Sequence, residues 1–588
     1  MERVEQHMIN RITRESDVLI IGGGTAGCIA AAELGEKFPN LSVNIVEKAH
    51  VDRSGCLAAG MNAINAYINP GETPESFVKY VRYDSCGLIR EDLVKSQAEL
   101  FEYAVKKVEE WGLPILCDDN GEYVPRGRWN IKINGESLKP ILAKAARDSG
   151  AKIHNRVVVT GLLMDGERCA GAVGFSLRTN AFYVFKAKAV IIATGGAAGL
   201  YKPNNAHDAQ HKTWYSPFNN GAGYAMGIRA GAEMTSLEMR YVALRTKDAI
   251  APTGTLALGV GAPLVNSKGE KFMQTKYGHM GGEGAPTPLR AYGPIEEVKA
   301  GRGPCYLDTT HINKEQAAQL KAAYLDMYPS QVLYWAANDI DPSEHPVEVQ
   351  TTEPYVNGGH CQGGFWVDIN RQTTIPGLYA TGDVAGGAPY KFVSGCWAEG
   401  IIAARHAGKA VADVDMPEVD HLQIEREYQR AFDPLFNYGK IKFGVRPYDM
   451  EVRMQKIMEE YAGGVSQNYE MNEERLELAR KYMDQLPAQF DQLVVEDMHD
   501  LMRAHEVIDR VIVGQALVVH LLARKETRWP SYQTRTDYPA RDDINWLKFV
   551  NTRRDPETGE YEVMYRPYEQ IVAGDRYHPG AKPHPKPN

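Results

Sequence analysis

Gly22-Gly23-Gly24-Thr25-Ala26-Gly27 is a run whose backbone, more than its side chains, can do chemistry. It fits G-x-G-x-x-G. Gly22 allows a tight turn, Gly24 lets the backbone approach a pyrophosphate, and Gly27 lets a helix close on a strand. Thr25 and Ala26 then open a helix whose free N–H groups and positive dipole end suit phosphate. Glu47, twenty residues beyond Gly27, can accept from ribose hydroxyls. Together these residues define a dinucleotide site.

The elements that must position them are legible around the glycines. Residues 18–21 form an apolar run expected as a buried parallel strand, 28–34 an Ala-rich helix, and 43–47 a second strand. Lys48, Ser54, Gly55 and Gly60 follow in a stretch of small residues that suits backbone passing close to a flat ring system. Two more segments point to the same cofactor. Thr194-Gly195-Gly196 ends an apolar strand expected over 187–193, and Gly382-Asp383 ends another that begins near 377. There Asp383 can take a ribityl or ribose hydroxyl, with Ser394 opening the helix that follows. This three-part set is that of two-dinucleotide-binding-domain flavoproteins and predicts FAD; NAD alone would need only the first part.

The chain has 588 residues, enough for several domains. Its 66 basic and 75 acidic residues leave a formal charge of −9, so no basic footprint suggests nucleic acid. No run of 18 apolar residues and no leader-like start is visible, which predicts a cytoplasmic protein without a transmembrane segment. Eight scattered cysteines form neither a disulfide framework nor a C-x-x-C motif, so no metal site is expected and any iron–sulfur centre belongs on another chain.

Residues 1–16 are polar and read as a loose arm or subunit contact. A long amphipathic helix is expected over 91–112, and antiparallel strands over 152–159 and 169–175. The expected fold is α/β: a two-dinucleotide-binding-domain FAD (Rossmann-like) fold with an inserted α+β capping domain and a C-terminal helical domain. The boundaries are 1–235 and 351–420 for the FAD-binding parts, 236–350 for the cap, 421–526 for the helical domain and 527–588 for a C-terminal extension. Charge runs in the helical part read as solvated faces.

Five stretches, 47–67, 127–137, 214–245, 353–400 and 546–568, resemble the fumarate reductase/succinate dehydrogenase flavoprotein superfamily. Within it the resemblance is to alpha subunits of dissimilatory adenylylsulfate reductases. It implies an FAD-dependent oxidoreductase of sulfur metabolism that interconverts adenylylsulfate with sulfite and AMP through a flavin N5–sulfite adduct. It also implies an iron–sulfur beta-type partner carrying [4Fe-4S] clusters. The catalytic residues it carries over are Asn65, Trp214, Arg245, Arg290 and His360. Arg245, Arg290 and His360 would form a cationic trio, arginines stabilising developing negative charge and the histidine donating a proton near neutral pH. A pure electron carrier would not need such a pocket.

Departures from the superfamily sharpen the reading. Fumarate reductases and succinate dehydrogenases carry a proton-donating arginine in Arg-Gly-Glu-Gly-Gly, where this chain has Leu258-Gly259-Val260-Gly261-Ala262. Lys391 stands where a carboxylate-binding arginine is usual. Ser54 stands where a histidine often links FAD covalently, which implies non-covalent FAD. Where the adenylylsulfate reductases end a segment in Trp-Phe, this chain reads Leu256-Ala257. Less stacking on adenine is therefore expected, with affinity rising if aromatics are restored. The alternative function is a paralogous reductase or dehydrogenase acting on another small anion, a carboxylate or sulfur compound.

Overall fold

The computed structural model describes residues 9–59, 61–65, 67–204, 213, 215–247 and 256–574. Its centre is a seven-stranded sheet. In spatial order six strands run Lys152–Asn155, Val43–Glu47, Asn10–Ile21, Ala181–Ile192, Arg168–Ser176 and Val157–Asp165, and Leu378–Ala380 also pairs with Ala181–Ile192. The first four strands and Leu378–Ala380 are parallel, as a doubly wound nucleotide fold requires. The last two return antiparallel. Val18, Leu19 and Ile20 are fully buried, because both faces of a parallel sheet are covered.

Three expectations need correction here. Residues 10–16 are not a loose arm. They extend the first strand, pairing Asn10 with Ala181 through Ser16 with Ala187. Backbone pairing holds this stretch, and its polar side chains face outward, so no apolar alternation marked it. Arg168–Ser176 pairs antiparallel with Val157–Asp165 on one side and Ala181–Ile192 on the other, and not with residues 152–155. Arg156, at φ 61, breaks the chain there, and Lys152–Asn155 joins the parallel edge instead. The helix expected over 91–112 is likewise two helices, Glu91–Ala98 and Phe101–Glu110.

Helix Thr25–Lys37 packs on helix Ser394–Ala410 so closely that a Cβ on Gly400 would lie 2.6 Å from the Ala26 carbonyl oxygen. A second sheet, Leu244–Thr246, Val347–Thr351, Cys305–Leu307 and Leu264–Val265, has its own apolar cluster around Phe272, Tyr324 and Trp335. The 26-residue helix Met498–Ala523 runs through the principal core. Three of its charges do not lie on a solvated face: Glu506, Asp509 and Arg510 are all buried, with partners. The tail folds back too. Hairpin Lys548–Arg554/Tyr561–Pro567 adds to Met234–Thr235, beside Gly364–Phe365. Its Asp555-Pro556-Glu557-Thr558-Gly559 turn is a signal that the sequence did carry.

Candidate functional site

A cavity of about 830 Å³ opens at the carboxyl ends of the parallel strands, within the size range of cofactor pockets. Gly22 turns the chain at φ +102, and a Cβ on it would lie 2.5 Å from the Ala193 carbonyl oxygen. A Cβ on Gly27 would lie 2.0 Å from the Gly22 carbonyl oxygen, so the helix can seat here only because that atom is missing. Gly24 differs: its Cβ would meet no protein atom within 3.8 Å and would project into the cavity instead. No side chain caps the helix that begins at Thr25, and no acid lies in its first turn. Its N–H groups therefore open onto the cavity as an anion cradle.

The residues present fit FAD. Glu47 accepts from the Gly23 N–H at 2.8 Å and the Ala49 N–H at 2.6 Å, which fixes its carboxylate at the strand end. Thr194 and Thr381 line the cavity, and each buries a hydroxyl with no protein partner. Asp383 accepts from the Tyr215 hydroxyl at 2.7 Å and faces the Cys396 thiol at 3.6 Å; burial holds its pKa above the usual carboxylate range. The Ser54 hydroxyl donates to the Gly23 carbonyl at 3.2 Å, and no imidazole stands there.

Of the expected cofactor residues, Gly22, Gly24, Thr25, Ala26, Glu47, Lys48, Ser54, Gly55, Thr194, Gly195, Gly382 and Asp383 line this cavity. Gly27, Gly196 and Ser394 stand behind its wall: Gly196 donates to the Tyr215 hydroxyl at 2.9 Å, and Ser394 is fully buried. Gly60 lies outside the described residues. Lys48 has a more specific place than expected. Its ammonium reaches Glu506 at 2.9 Å and Asn220 at 3.1 Å, tying the cofactor strand to helix Met498–Ala523. Lys48 and Arg510 outweigh the burial that would raise the Glu506 pKa and hold it low, whereas burial raises that of Asp509. Both acids line the cavity. Sequence reasoning missed them because nothing local distinguishes two acids on an apolar helix some 460 residues beyond Lys48.

The second end of the cavity gathers Arg290 and His360 around Tyr241, and Asn65 lines the cavity as well. Arg290 sits on helix Thr287–Lys299, whose first turn accepts Pro288 without loss. Asp84, at the end of helix Pro74–Asp84, holds that helix start by accepting from the Thr287 N–H at 3.0 Å and hydroxyl at 2.7 Å. The Tyr390 hydroxyl donates to the same carboxylate. Burial alone would lower the Arg290 pKa, but Asp84 together with Tyr80, Tyr390 and Tyr532 outweighs it and the shift is upward. The guanidinium stays charged, with its Nε buried and unpartnered. His360 is carried in by Gly358 and Gly359, where a Cβ would lie 1.9 Å from the Ala385 carbonyl oxygen and the Asp383 carboxylate respectively. Tyr241 and Phe392 flank the ring at 4.5 and 4.9 Å between centroids.

Three site expectations change. His360 is not the third cation: burial pushes its pKa down to about 3, so at neutral pH it is an uncharged hydrogen-bonding ring. Arg245 is fully buried on strand Leu244–Thr246 and donates to the Asn204 carbonyl; its neighbour Leu244, not Arg245 itself, lines the cavity. Lys391, where the superfamily's arginine is usual, serves the protein itself: its buried ammonium binds the Gly382 and Ala385 carbonyls at 2.9 and 2.6 Å and lies 3.3 Å from Glu399. Trp214 and residues 251–255 lie outside the described residues. Leu256 and Ala257 pack into the core of the second sheet, so aromatic groups there would crowd that core and offer no ring to the cleft.

His505, whose pKa burial also lowers to about 3, places Nε2 2.8 Å from the Ala431 carbonyl. Below pH 6.5 the unfolded chain binds protons at this position and at His360 that the folded chain refuses. Their stability contribution is therefore full above pH 6.5 and is lost as pH falls toward 3. Each histidine is expected to cost about 1.4 kcal/mol between pH 7.5 and 5.5. Urea midpoints at the two pH values test this, with His505→Gln expected to flatten the slope; an unchanged slope contradicts it.

Comparison with known proteins agrees with this geometry. Residues 17–393 match the family described as FAD binding domain, and residues 451–582 match Fumarate reductase flavoprotein C-term. The chain belongs to this FAD-binding flavoprotein family, and it is an FAD-dependent oxidoreductase that holds its FAD non-covalently. It is 32% identical to the adenylylsulfate reductase subunit alpha of Megalodesulfovibrio gigas, covering 95% of this chain and 96% of the relative. The solved adenylylsulfate reductase of Archaeoglobus fulgidus superposes with a TM-score of 0.93 at 38% identity, covering 98% of this chain and 99% of that one. A further structure with the same scores is an adenosine-5-phosphosulfate reductase in complex with sulfite as a covalent adduct. Among the described residues no helix is long and apolar enough to cross a membrane.

Proposed function

We propose that this chain is the catalytic flavoprotein subunit of an adenylylsulfate reductase, interconverting adenylylsulfate with sulfite and AMP. In the reducing direction two electrons enter, the S–O bond breaks, the bridging oxygen leaves with the phosphate, and sulfur falls from the +6 to the +4 state. Bound FAD would supply the electron pair. Gly22–Gly27, Glu47, Thr194, Thr381 and Asp383 would hold it.

The observation that carries this reading is Arg290. A permanently charged guanidinium is buried at the far end of the cofactor cavity, with Asp84 supporting its helix and its own Nε left without a partner. Such a group stabilises the charge that builds on the phosphate and sulfite oxygens as the bond breaks. His360, uncharged, would hydrogen-bond an oxygen without competing for the anion. Asn65, which also lines the cavity, would add an amide. Arg245 supports the wall beside Leu244, and Trp214 is proposed to pack on adenine or the flavin. The fumarate reading lacks its arginine at 258–262.

The electrons are proposed to come from an iron–sulfur beta-type subunit carrying [4Fe-4S] clusters, since the Megalodesulfovibrio gigas relative is an alpha subunit and no cysteine pair here has cluster spacing. The test is AMP-dependent sulfite oxidation with an artificial acceptor, run beside fumarate reduction and succinate oxidation. Activity with sulfite and AMP, from protein showing flavin absorbance alone, is expected. Fumarate activity without sulfite activity contradicts the assignment, and inactivity with both favours another small anion.

A further inference from the structure

Beside Arg290, on the side away from the glycine cradle, lies a second small void of about 40 Å³. It shares Tyr241, Leu244, Thr287 and Arg290 with the cofactor cavity, so the two are neighbours across one wall. Leu258 and Leu264 give it apolar faces, and Glu283 supplies its only carboxylate. By volume it has room for the edge of a ring and not for the whole of one.

Glu283 is built into this position. It sits in the single turn Gly282–Gly284, and the Gln274 side-chain amide donates to its Oε2. A Cβ on Gly282 would lie 2.4 Å from the Gln274 Nε2, so glycine leaves this amide room beside Glu283. The other oxygen, Oε1, is buried and has no hydrogen-bond partner. Across the void the Arg290 Nε is also buried without one. A buried acceptor left unpaired costs free energy that a ligand donor would recover.

We propose that Glu283 reads the base of the nucleotide by accepting a hydrogen bond from the exocyclic amine of adenine. This rests on the adenylylsulfate reading of the neighbouring cavity. The sulfate and phosphate ends of that substrate are excluded from Glu283, because two negative charges at contact repel strongly in a site shielded from water. What remains is a donor carried on a flat, largely apolar body, and the leucine walls suit the edge of a purine. Arg290 then stands at the junction, its guanidinium serving the anionic end on one side while Glu283 serves the basic edge on the other. A purine with an oxygen in place of the amine would set two acceptors against each other and be refused.

Equilibrium binding to FAD-replete protein tests this without turnover, using AMP and IMP, which differ at that one ring position. Wild-type protein is expected to bind AMP about 10- to 100-fold more tightly than IMP, the range of one hydrogen bond to a charged group. In Glu283→Gln the amide can donate or accept, and the preference is expected to shrink to about threefold or less, with flavin content unchanged. Glu283→Ala should shrink it likewise. A preference that survives both substitutions overturns the role of Glu283, as does wild-type protein that binds the two nucleotides alike, which needs no variant to fold. Wild-type protein that binds neither overturns the nucleotide reading of the main cavity itself.

Discussion

Gly24→Ala is expected to yield a chain that folds and melts like the wild-type apoprotein but carries less than about a tenth of its FAD. The two flanking glycines set the contrast. A Cβ on Gly24 meets no protein atom within 3.8 Å, and its φ of −71 suits alanine, so the polypeptide alone has no objection. The methyl group instead occupies the place where the pyrophosphate must approach the helix N-terminus. Gly27→Ala fails for a different reason. Its Cβ would lie 2.0 Å from the Gly22 carbonyl oxygen, and since both sides of that clash are backbone, helix Thr25–Lys37 must move off the strand. Overpacking of this kind costs about 1–3 kcal/mol or more, so here melting temperature and FAD content fall together. The ratio of flavin to protein absorbance and thermal melts with and without added FAD separate the two cases. Full FAD occupancy in Gly24→Ala would show that the cofactor does not pass over this turn. A wild-type melt for Gly27→Ala would remove the packing argument.

Local chemistry explains why this end of the molecule was readable in advance. The glycines, Glu47, Thr194 and Asp383 act through backbone conformation or strand-end position, both of which follow from residues next to them in sequence. The second end was not readable from residues alone. Asp84 and Thr287, 203 positions apart, meet only because two helices end at the same point, and no local pattern encodes that. Glu506 and Asp509 were hidden the same way, on a helix whose periodicity announced a core element and nothing more. His360 lines the cavity, but burial takes away the charge expected for it. Its protonation depends on how completely Tyr241, Phe392 and the Gly358-Gly359 turn enclose it, and enclosure is a property of the fold. Leu256-Ala257 made the opposite error. As a sequence departure it read as a lost stacking surface, whereas in space it is core packing.

Arg290→Ala is expected to lower kcat/KM for AMP-dependent sulfite oxidation by about two to three powers of ten, the loss seen when one preorganised donor to a developing anion is removed. FAD content should stay within experimental error, because no residue of helix Thr287–Lys299 belongs to the glycine cradle. The fold should persist as well. Asp84 keeps its bonds from the Thr287 N–H and hydroxyl and from Tyr390 after the guanidinium is gone, so no buried carboxylate is stranded. Arg290→Lys should recover little of the rate, since a single ammonium cannot present the planar fork and its shorter reach leaves the Thr287 hydroxyl behind. Binding and chemistry can be read separately. Bleaching of the flavin by sulfite, measured with and without AMP, reports anion affinity with no turnover, and Arg290→Ala should weaken it at the same time as the rate falls. If the rate falls while bleaching is unchanged, Arg290 acts on the nucleotide and not on the sulfur oxyanion. If both stay within about threefold of wild type, the buried guanidinium is a packing element of its helix, and the anion site must be sought elsewhere in the cavity.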